Sequence, residues 1–252
     1  MADPAGQRSL QDRVALVTGA SGGIGTAVAW RLAQHGAAVA CHYGSNADAA
    51  HQVARRIRAS GGRASALGAD LRDPAAPDEL IDAVERDLGP VDALVANAGI
   101  VRPLELAEIG HEEFDELMAV NLRAPFMLAR RVVPGMRERG FGRVLFTSSV
   151  AAFTGGLVGP HYAASKAGLH AIVHYLARRV APDGVTVNAI APALIRDTGD
   201  LSKLGDVQEL ARNVPVGRLG TPAEVADMAL AMLRNAYLTN QVVLLDGGMH
   251  PR

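Results

Sequence analysis

Val14-Ala15-Leu16-Val17-Thr18-Gly19-Ala20-Ser21-Gly22-Gly23-Ile24-Gly25 is the stretch that decides the fold. It opens on a short apolar run, turns through glycines, and passes into a helical pattern from about Gly25 to His35. That is strand, loop, helix. Glycines at such a turn let the backbone approach a pyrophosphate closely, and the helix N-terminus offers free N–H groups and the positive end of its dipole to the anion. The bland reading is a plain glycine-rich turn between strand and helix. The strand before it and the helix after it favour the phosphate-binding reading.

The alternation repeats along the chain. A second apolar run, Ala38 to Cys41, ends in polar His42-Tyr43-Gly44-Ser45-Asn46, and a helix follows from about Ala47 to Ala59, stopped by Gly61-Gly62. Further strands are predicted at Ala64 to Gly68, Val91 to Ala96, Val144 to Phe146, Val185 to Ile190 and Val242 to Leu245. Helical stretches lie between them, the longest at about Glu112 to Glu138 and His161 to Ala181. Pro125 and Pro134 interrupt the first of these, so it is expected to bend or to end near Pro134. Strands interleaved with helices imply an α/β protein: a doubly wound, Rossmann-like parallel sheet in a three-layer α/β/α sandwich. No linker divides residues 13–252, which are expected to form one domain behind a flexible N-terminal tail, residues 1–12.

Composition removes several classes of function. The chain has 252 residues, with 25 basic against 26 acidic side chains, and so offers no electrostatic footprint for nucleic acid or an anionic membrane. The lone Cys41 rules out a disulfide framework and a cysteine zinc site, and no apolar run reaches the length of a membrane span. The first residues lack the apolar core of a signal peptide, so the cytoplasm is the expected location. His170 and His174 stand four apart on a helix, as metal ligands can, yet no Glu or Cys accompanies them at ligand spacing; no metal is expected. Arg130, Arg131, Arg137, Arg139 and Arg143 form a basic neighbourhood, read as solvated surface or as a dock for an acidic carrier protein.

Three motifs together resemble the short-chain dehydrogenase/reductase family: TGASGGIG at Thr18–Gly25, Asn97-Ala98-Gly99, and Tyr162-Ala163-Ala164-Ser165-Lys166. The resemblance covers essentially the whole chain after residue 12. It implies a catalytic tetrad of Asn121, Ser149, Tyr162 and Lys166; Ser149 lies thirteen before Tyr162, the family's spacing, whereas Ser148 is one too far. Tyr162 and Lys166 are four apart, so a helix sets them on one face. Tyr162 would deliver a proton to a carbonyl oxygen, and cationic Lys166 would lower the phenol's pKa. By family analogy Lys166 also holds the nicotinamide ribose, Ser149 donates to the substrate oxygen, and Asn121 holds a water that relays protons through Lys166. Individually these are an ordinary surface pair, a loop serine and a helix asparagine; the combination carries the reading.

The same resemblance implies a nicotinamide dinucleotide cradled by Gly19, Ser21, Gly22, Gly23, Ile24 and Gly25, with Asn97, Ala98, Gly99, Tyr162, Lys166, Pro192, Ala193 and Ile195 contributing, and Asp70-Leu71 against adenine. An NAD site carries an acid at the end of the second strand, where it binds the ribose hydroxyls and repels a 2′-phosphate. Here that position is Tyr43, flanked by His42, Ser45 and Asn46, with no carboxylate before Asp48, so NADP(H) is favoured over NAD(H). No Arg or Lys lies in the glycine loop. After the sixth strand the family's Pro-Gly is Pro192-Ala193, and its usual threonine position holds Asp197, with Thr198 one later. Residues from about Asp197 to Val214 are expected to form a substrate lid.

Within the family, VPVGRLG at 214–220 and the DGGM ending at 246–249 look most like 3-oxoacyl-acyl-carrier-protein reductases. The expected reaction is NADPH-dependent reduction of a 3-oxoacyl thioester, on carrier protein or coenzyme A, or of a similar β-keto substrate. Two alternatives stand beside it: a ketoreductase or secondary-alcohol dehydrogenase acting on an untethered small molecule, and a non-catalytic dinucleotide-binding protein. Asp183 occupies the turn before the sixth strand where carrier-binding relatives tend to have Arg. The family's helix pairing implies a homotetramer.

Overall fold

A computed structural model describes residues 10–198 and 204–250. Seven strands form one parallel sheet in the order β3-β2-β1-β4-β5-β6-β7. They are β1 (Val14–Val17), β2 (Ala38–Tyr43), β3 (Ala64–Gly68), β4 (Ala93–Ala96), β5 (Gly142–Thr147), β6 (Val185–Pro192) and β7 (Val242–Leu245). β1, β4, β5 and β6 are buried on both faces, which is why they read as unbroken apolar runs rather than alternating ones. The strand order reverses between β1 and β4, and in such sheets ligands bind in the crevice at the carboxyl ends of the strands flanking the reversal.

Helices cover both faces. α1 (Gly23–Gln34), α2 (Ala47–Ala59) and α9 (Pro222–Arg234) close one core with Leu32, Ile57, Val225 and Leu233. α3 (Ala76–Asp87), α5 (Ala124–Glu138) and α7 (Pro160–Val180) close the other with Ile81, Leu128, Met136, Leu169 and Phe146. The short α4 (His111–Met118), α6 (Ala151–Thr154) and α8 (Val207–Arg212) lie in the connections.

The long helical stretch expected over 112–138 is interrupted at one point. α4 passes into α5 through a π turn at Ala119–Arg123, in which the Ala124 N–H reaches back to the Ala119 carbonyl. Pro134, by contrast, does not end the helix, which continues to Glu138. Pro134 is exposed, so the carbonyl it deprives of a partner can meet water, while Leu128, Ala129, Val132, Val133 and Met136 stay buried. Burying several such side chains at about 1.5–3 kcal/mol each outweighs the roughly 3 kcal/mol cost of an internal proline. At the N-terminus, residues 1–9 of the expected mobile tail lie outside the described residues. Leu10 corrects the rest: it is 2% exposed in the core beside α1, and its N–H donates to the His35 carbonyl at 3.0 Å.

Candidate active site

The residues singled out in the sequence converge on the carboxyl edge of the sheet. After β1, Gly19 takes φ +67°, and a Cβ there would stand 3.0 Å from the Ala98 Cα. Gly25 is tighter still: a Cβ would meet the Gly19 carbonyl oxygen at 2.1 Å. These two glycines let the loop fold under itself and let α1 start close to β4. α1 begins at Gly23 with no side-chain cap and no acidic residue in its first turn, so no side chain of its own competes for the free N–H groups and dipole at its start. Such a cradle fits a dinucleotide pyrophosphate, with Ser21, Gly22, Gly23 and Ile24 along its rim.

Thr18 and Asn97 hold this loop against β4. The Thr18 hydroxyl accepts the N–H groups of Asn97 (3.0 Å) and Ala98 (2.9 Å), while the Asn97 amide donates to the Thr18 carbonyl at 3.0 Å and its oxygen accepts from Thr147 at 3.3 Å. Thr147 and the supporting role of Thr18 escaped the sequence reading; a hydroxyl residue directly after an apolar strand is the signal that could have found them. Gly99 is exposed, and a Cβ on it would lie 3.2 Å from Asn121 Oδ1 and 3.3 Å from Lys166 Nζ.

Beyond β2, the structure corrects one expectation. His42 does not face the cleft: it is 2% exposed, with Nδ1 accepting the Gly19 N–H at 3.1 Å and Nε2 donating to the Ala69 carbonyl at 3.0 Å. Tyr43 lies over Gly68 and beside the His51 ring. Ser45 and Asn46 are exposed, and the Asn46 oxygen caps α2 by accepting from Ala49 N–H at 3.2 Å. At the end of β3, Asp70 is exposed and its carboxylate is gripped by the Arg72 guanidinium at 2.7–3.0 Å, which holds it below the usual carboxylate range. Leu71 is corrected as well: its side chain is 5% exposed in the core, so only its main chain can reach an adenine. So too Ile195, at 4%, which packs under Gly220.

The tetrad residues come together. Asn121 sits in the π turn, fully buried, and its side chain clips one backbone residue: Oδ1 accepts the Ile100 N–H at 2.8 Å and Nδ2 donates to the Ile100 carbonyl at 3.0 Å. Its Nδ2 also reaches Ser165 Oγ at 3.4 Å. Ser149, just past β5, accepts from the Ala151 N–H at 3.1 Å, which leaves its proton to donate. Burial raises the Tyr162 phenol, opposed by its hydrogen bond with Ser149. Lys166, wholly buried, is pulled down to about 8 by loss of solvation and donates to the Thr147 carbonyl at 2.9 Å. The phenol is thus raised rather than lowered, with desolvation the largest influence on it and Lys166 Nζ 5.8 Å from its ring centroid.

Pro192 pairs with Leu245, and Ala193 donates its N–H to the Leu245 carbonyl at 3.1 Å. The following turn lays Asp197 and Thr198 on the glycine loop, the Asp197 carbonyl standing 2.3 Å from where a Gly23 Cβ would be. Residues 199–203 of the expected lid lie outside the described residues. His170 and His174 go separate ways, to Ser148 Oγ at 2.8 Å and Asn240 Oδ1 at 2.7 Å. The basic neighbourhood is largely paired: Arg130 with Asp78, Arg131 with Asp82 and Glu85, Arg137 with Asp183, Arg139 with Asp92. Arg143 is 6% exposed and donates to the Leu233, Gly142 and Gly184 carbonyls.

A parallel sheet reversing at a glycine-rich crossover, with a Ser-Tyr-Lys cluster beside it, defines a nucleotide-linked oxidoreductase of the short-chain type. The chain matches the short chain dehydrogenase family over residues 13–208, and it belongs to that family. It is 38% identical over 246 residues to the 3-oxoacyl-acyl-carrier-protein reductase FabG of Vibrio cholerae, covering 96% of this chain and 99% of the relative. Among solved structures it resembles a metagenomic blue fluorescent protein in complex with NADPH (TM-score 0.91, 33% identity, 96% of this chain and 100% of that one). It also resembles the angucycline C-6 ketoreductase LanV with bound NADP (TM-score 0.88, 33% identity, 96% of each chain).

Proposed function

We propose that the protein is an NADPH-dependent ketoreductase that converts a 3-oxoacyl thioester or comparable β-keto substrate to the 3-hydroxy product. The observation that carries this reading is the Ser149–Tyr162–Lys166 cluster, with a phenol that burial keeps protonated near neutrality, opposite a glycine cradle built for a pyrophosphate. A bound NADPH supplies the hydride that the carbonyl carbon accepts. Tyr162 gives its hydroxyl proton to the carbonyl oxygen, so that a C=O bond becomes CH–OH. Ser149, its oxygen already accepting from Ala151, directs its own proton at the same oxygen. Lys166 holds the nicotinamide ribose beside Gly99, where its ammonium and Asn121 converge. The 2′-phosphate is accommodated by Tyr43, Ser45 and the free amide nitrogen of Asn46, where the strand end carries no acid.

A second reading, reduction of an untethered ketone, is favoured by the arginines around α5. Arg130, Arg131, Arg137 and Arg139 already have carboxylate partners, which weakens them as a dock for an acidic carrier protein. LanV, which the chain resembles, is an angucycline C-6 ketoreductase. We further propose a single cytoplasmic domain and a homotetramer. The groove of about 600 Å³ lined by Met118, Leu122, Phe126 and Ile172, with Phe126 41% exposed, supports pairing between copies along α4, α5 and α7.

The test follows nicotinamide absorbance as the protein meets acetoacetyl thioester, with NADPH and NADH in parallel and Tyr162→Phe as control. Rapid NADPH-selective turnover that the variant lacks is the expected result. Free ketones outcompeting thioesters by orders of magnitude in kcat/KM replace the first reading by the second. Turnover unchanged by Tyr162→Phe removes both.

A further inference from the structure

His42 ties together two segments that the cofactor reading places around one ligand. Its Nδ1 accepts from the N–H of Gly19, the first glycine of the cradle, at 3.1 Å, and its own carbonyl accepts from the next residue, Ala20, at 2.8 Å. Its Nε2 donates to the carbonyl of Ala69, the residue before Asp70, at 3.0 Å. The two contacts fix the tautomer: Nε2 carries the hydrogen and Nδ1 must be bare, since a backbone N–H can only donate. Buried at 2% exposure, the ring has no water to replace either partner.

We propose that His42 is a positioning residue that shapes the glycine loop for the dinucleotide, and that its protonation releases the loop and weakens dinucleotide binding. The proposal rests on the cofactor reading above. An imidazolium would turn Nδ1 into a second donor facing the Gly19 N–H, so that one of them must move. Gly19 has little room to do so, with a left-handed φ of +67° and Ala98 against it. Burial already favours the neutral ring, against the opposing pull of the Ala69 hydrogen bond. The glycine loop from Thr18 to Gly25 and the β4 exit at Asn97–Gly99 carry no charged residue. At the β3 exit, Asp70 is held by Arg72; Cys41, on the neighbouring position of β2, is a thiol pushed up to about 12; Tyr43 and His51 pack on each other at the outer end.

The experiment measures NADP⁺ affinity calorimetrically on the full chain, from about pH 8 to about pH 5, for wild type, His42→Asn and His42→Leu. Asn places Oδ1 where Nδ1 stands and so keeps an acceptor that does not titrate. His42→Asn, which keeps the Gly19 contact and gives up the one to Ala69, is expected to bind more weakly than wild type at about pH 8 but less so than His42→Leu, and not to change as wild type does, which weakens on acidification toward tenfold per pH unit below the His42 pKa. The 2′-phosphate titrates equally in both, so the difference between the curves is the signal. His42→Leu, which leaves the Gly19 N–H without its acceptor, is expected to bind about tenfold more weakly throughout. The Gly19 amide NMR shift of the ligand-free protein should titrate in wild type and not in His42→Asn, which keeps the test open if the leucine variant fails to fold. Parallel affinity curves, or a Gly19 amide that does not titrate in wild type, overturn the proposal alone. Wild type that binds neither NADP⁺ nor NAD⁺ at any pH overturns the cofactor reading and this proposal together.

Discussion

Lys166 Nζ lies 5.8 Å from the centroid of the Tyr162 ring and spends a hydrogen bond of 2.9 Å on the Thr147 carbonyl. Both groups are desolvated, and desolvation acts in opposite directions on an acid and a base: it raises the phenol and lowers the ammonium to about 8. Near neutrality the pair is a neutral phenol beside a cation, the state that can donate a proton and hold a ribose.

The pH dependence of catalysis follows from this. For ketone reduction, kcat/KM should hold level below about pH 8 and fall as pH rises through that value, because Lys166 then sheds its charge. Alcohol oxidation, which needs Tyr162 as the base, should climb over the same range. Tyr162→Phe should lower reduction by about 10²-fold or more. A reduction profile that rises through pH 8 would contradict the assignment.

The same lysine makes a stability prediction. Between about 8 and the ordinary lysine value the unfolded chain binds a proton that the folded chain has released, so folding stability should rise with pH across that window. Below it the protein carries a buried ammonium whose desolvation only one carbonyl offsets. Lys166→Met, similar in shape and uncharged, should therefore be more stable than wild type at about pH 7 by on the order of 1–2 kcal/mol while losing activity. Urea unfolding of both proteins measures the difference. A variant less stable by more than 1 kcal/mol would mean that the Thr147 hydrogen bond outweighs the desolvation.

How far the sequence could be read depended on which contacts are local. β1, β4, β5 and β6 were visible because strands buried on both faces have no polar alternation to hide in, and the glycine loop because strand and helix flank it directly. The π turn was invisible: Ala119–Arg123 has ordinary helix formers, and the wider turn is recognisable only once Asn121 is seen reaching across to Ile100. Pro134 does not end the helix, because its cost is local whereas the burial that overrides it comes from the sheet. His42, Leu71 and Ile195 were placed by position beside the cofactor, yet position along a strand does not say which way the side chain turns. His42 turns beneath the loop, and the other two turn into the core.

Asn121→Ala tests the clip between the π turn and the β4 exit. Truncation leaves the Ile100 N–H and carbonyl without their partners in a site where Asn121 itself is 0% exposed. Loss of two such bonds should cost about 2–3 kcal/mol in urea unfolding, and activity should fall because Gly99, beside Lys166, is no longer held. A variant as stable as wild type would show that Ile100 finds water or that the segment relaxes.

His161 precedes Tyr162 and is 2% exposed, yet neither ring nitrogen has a hydrogen-bond partner. Burial depresses its pKa, with a smaller push from the Arg102 charge. An imidazole in this state gives up its hydration and receives nothing in return, a penalty of about 1–3 kcal/mol. His161→Leu should accordingly raise stability by on the order of 1 kcal/mol at about pH 7. Acidification supplies a second arm. Below the ordinary histidine value the unfolded chain takes up protons that buried His161 refuses, so wild-type stability falls with pH there, and the leucine variant should fall less steeply. Thermal unfolding at about pH 7 and about pH 5.5 measures both effects. A variant that is less stable at neutral pH and parallels wild type on acidification would mean that the imidazole has a partner, such as a bound water, and that its burial is not a loss.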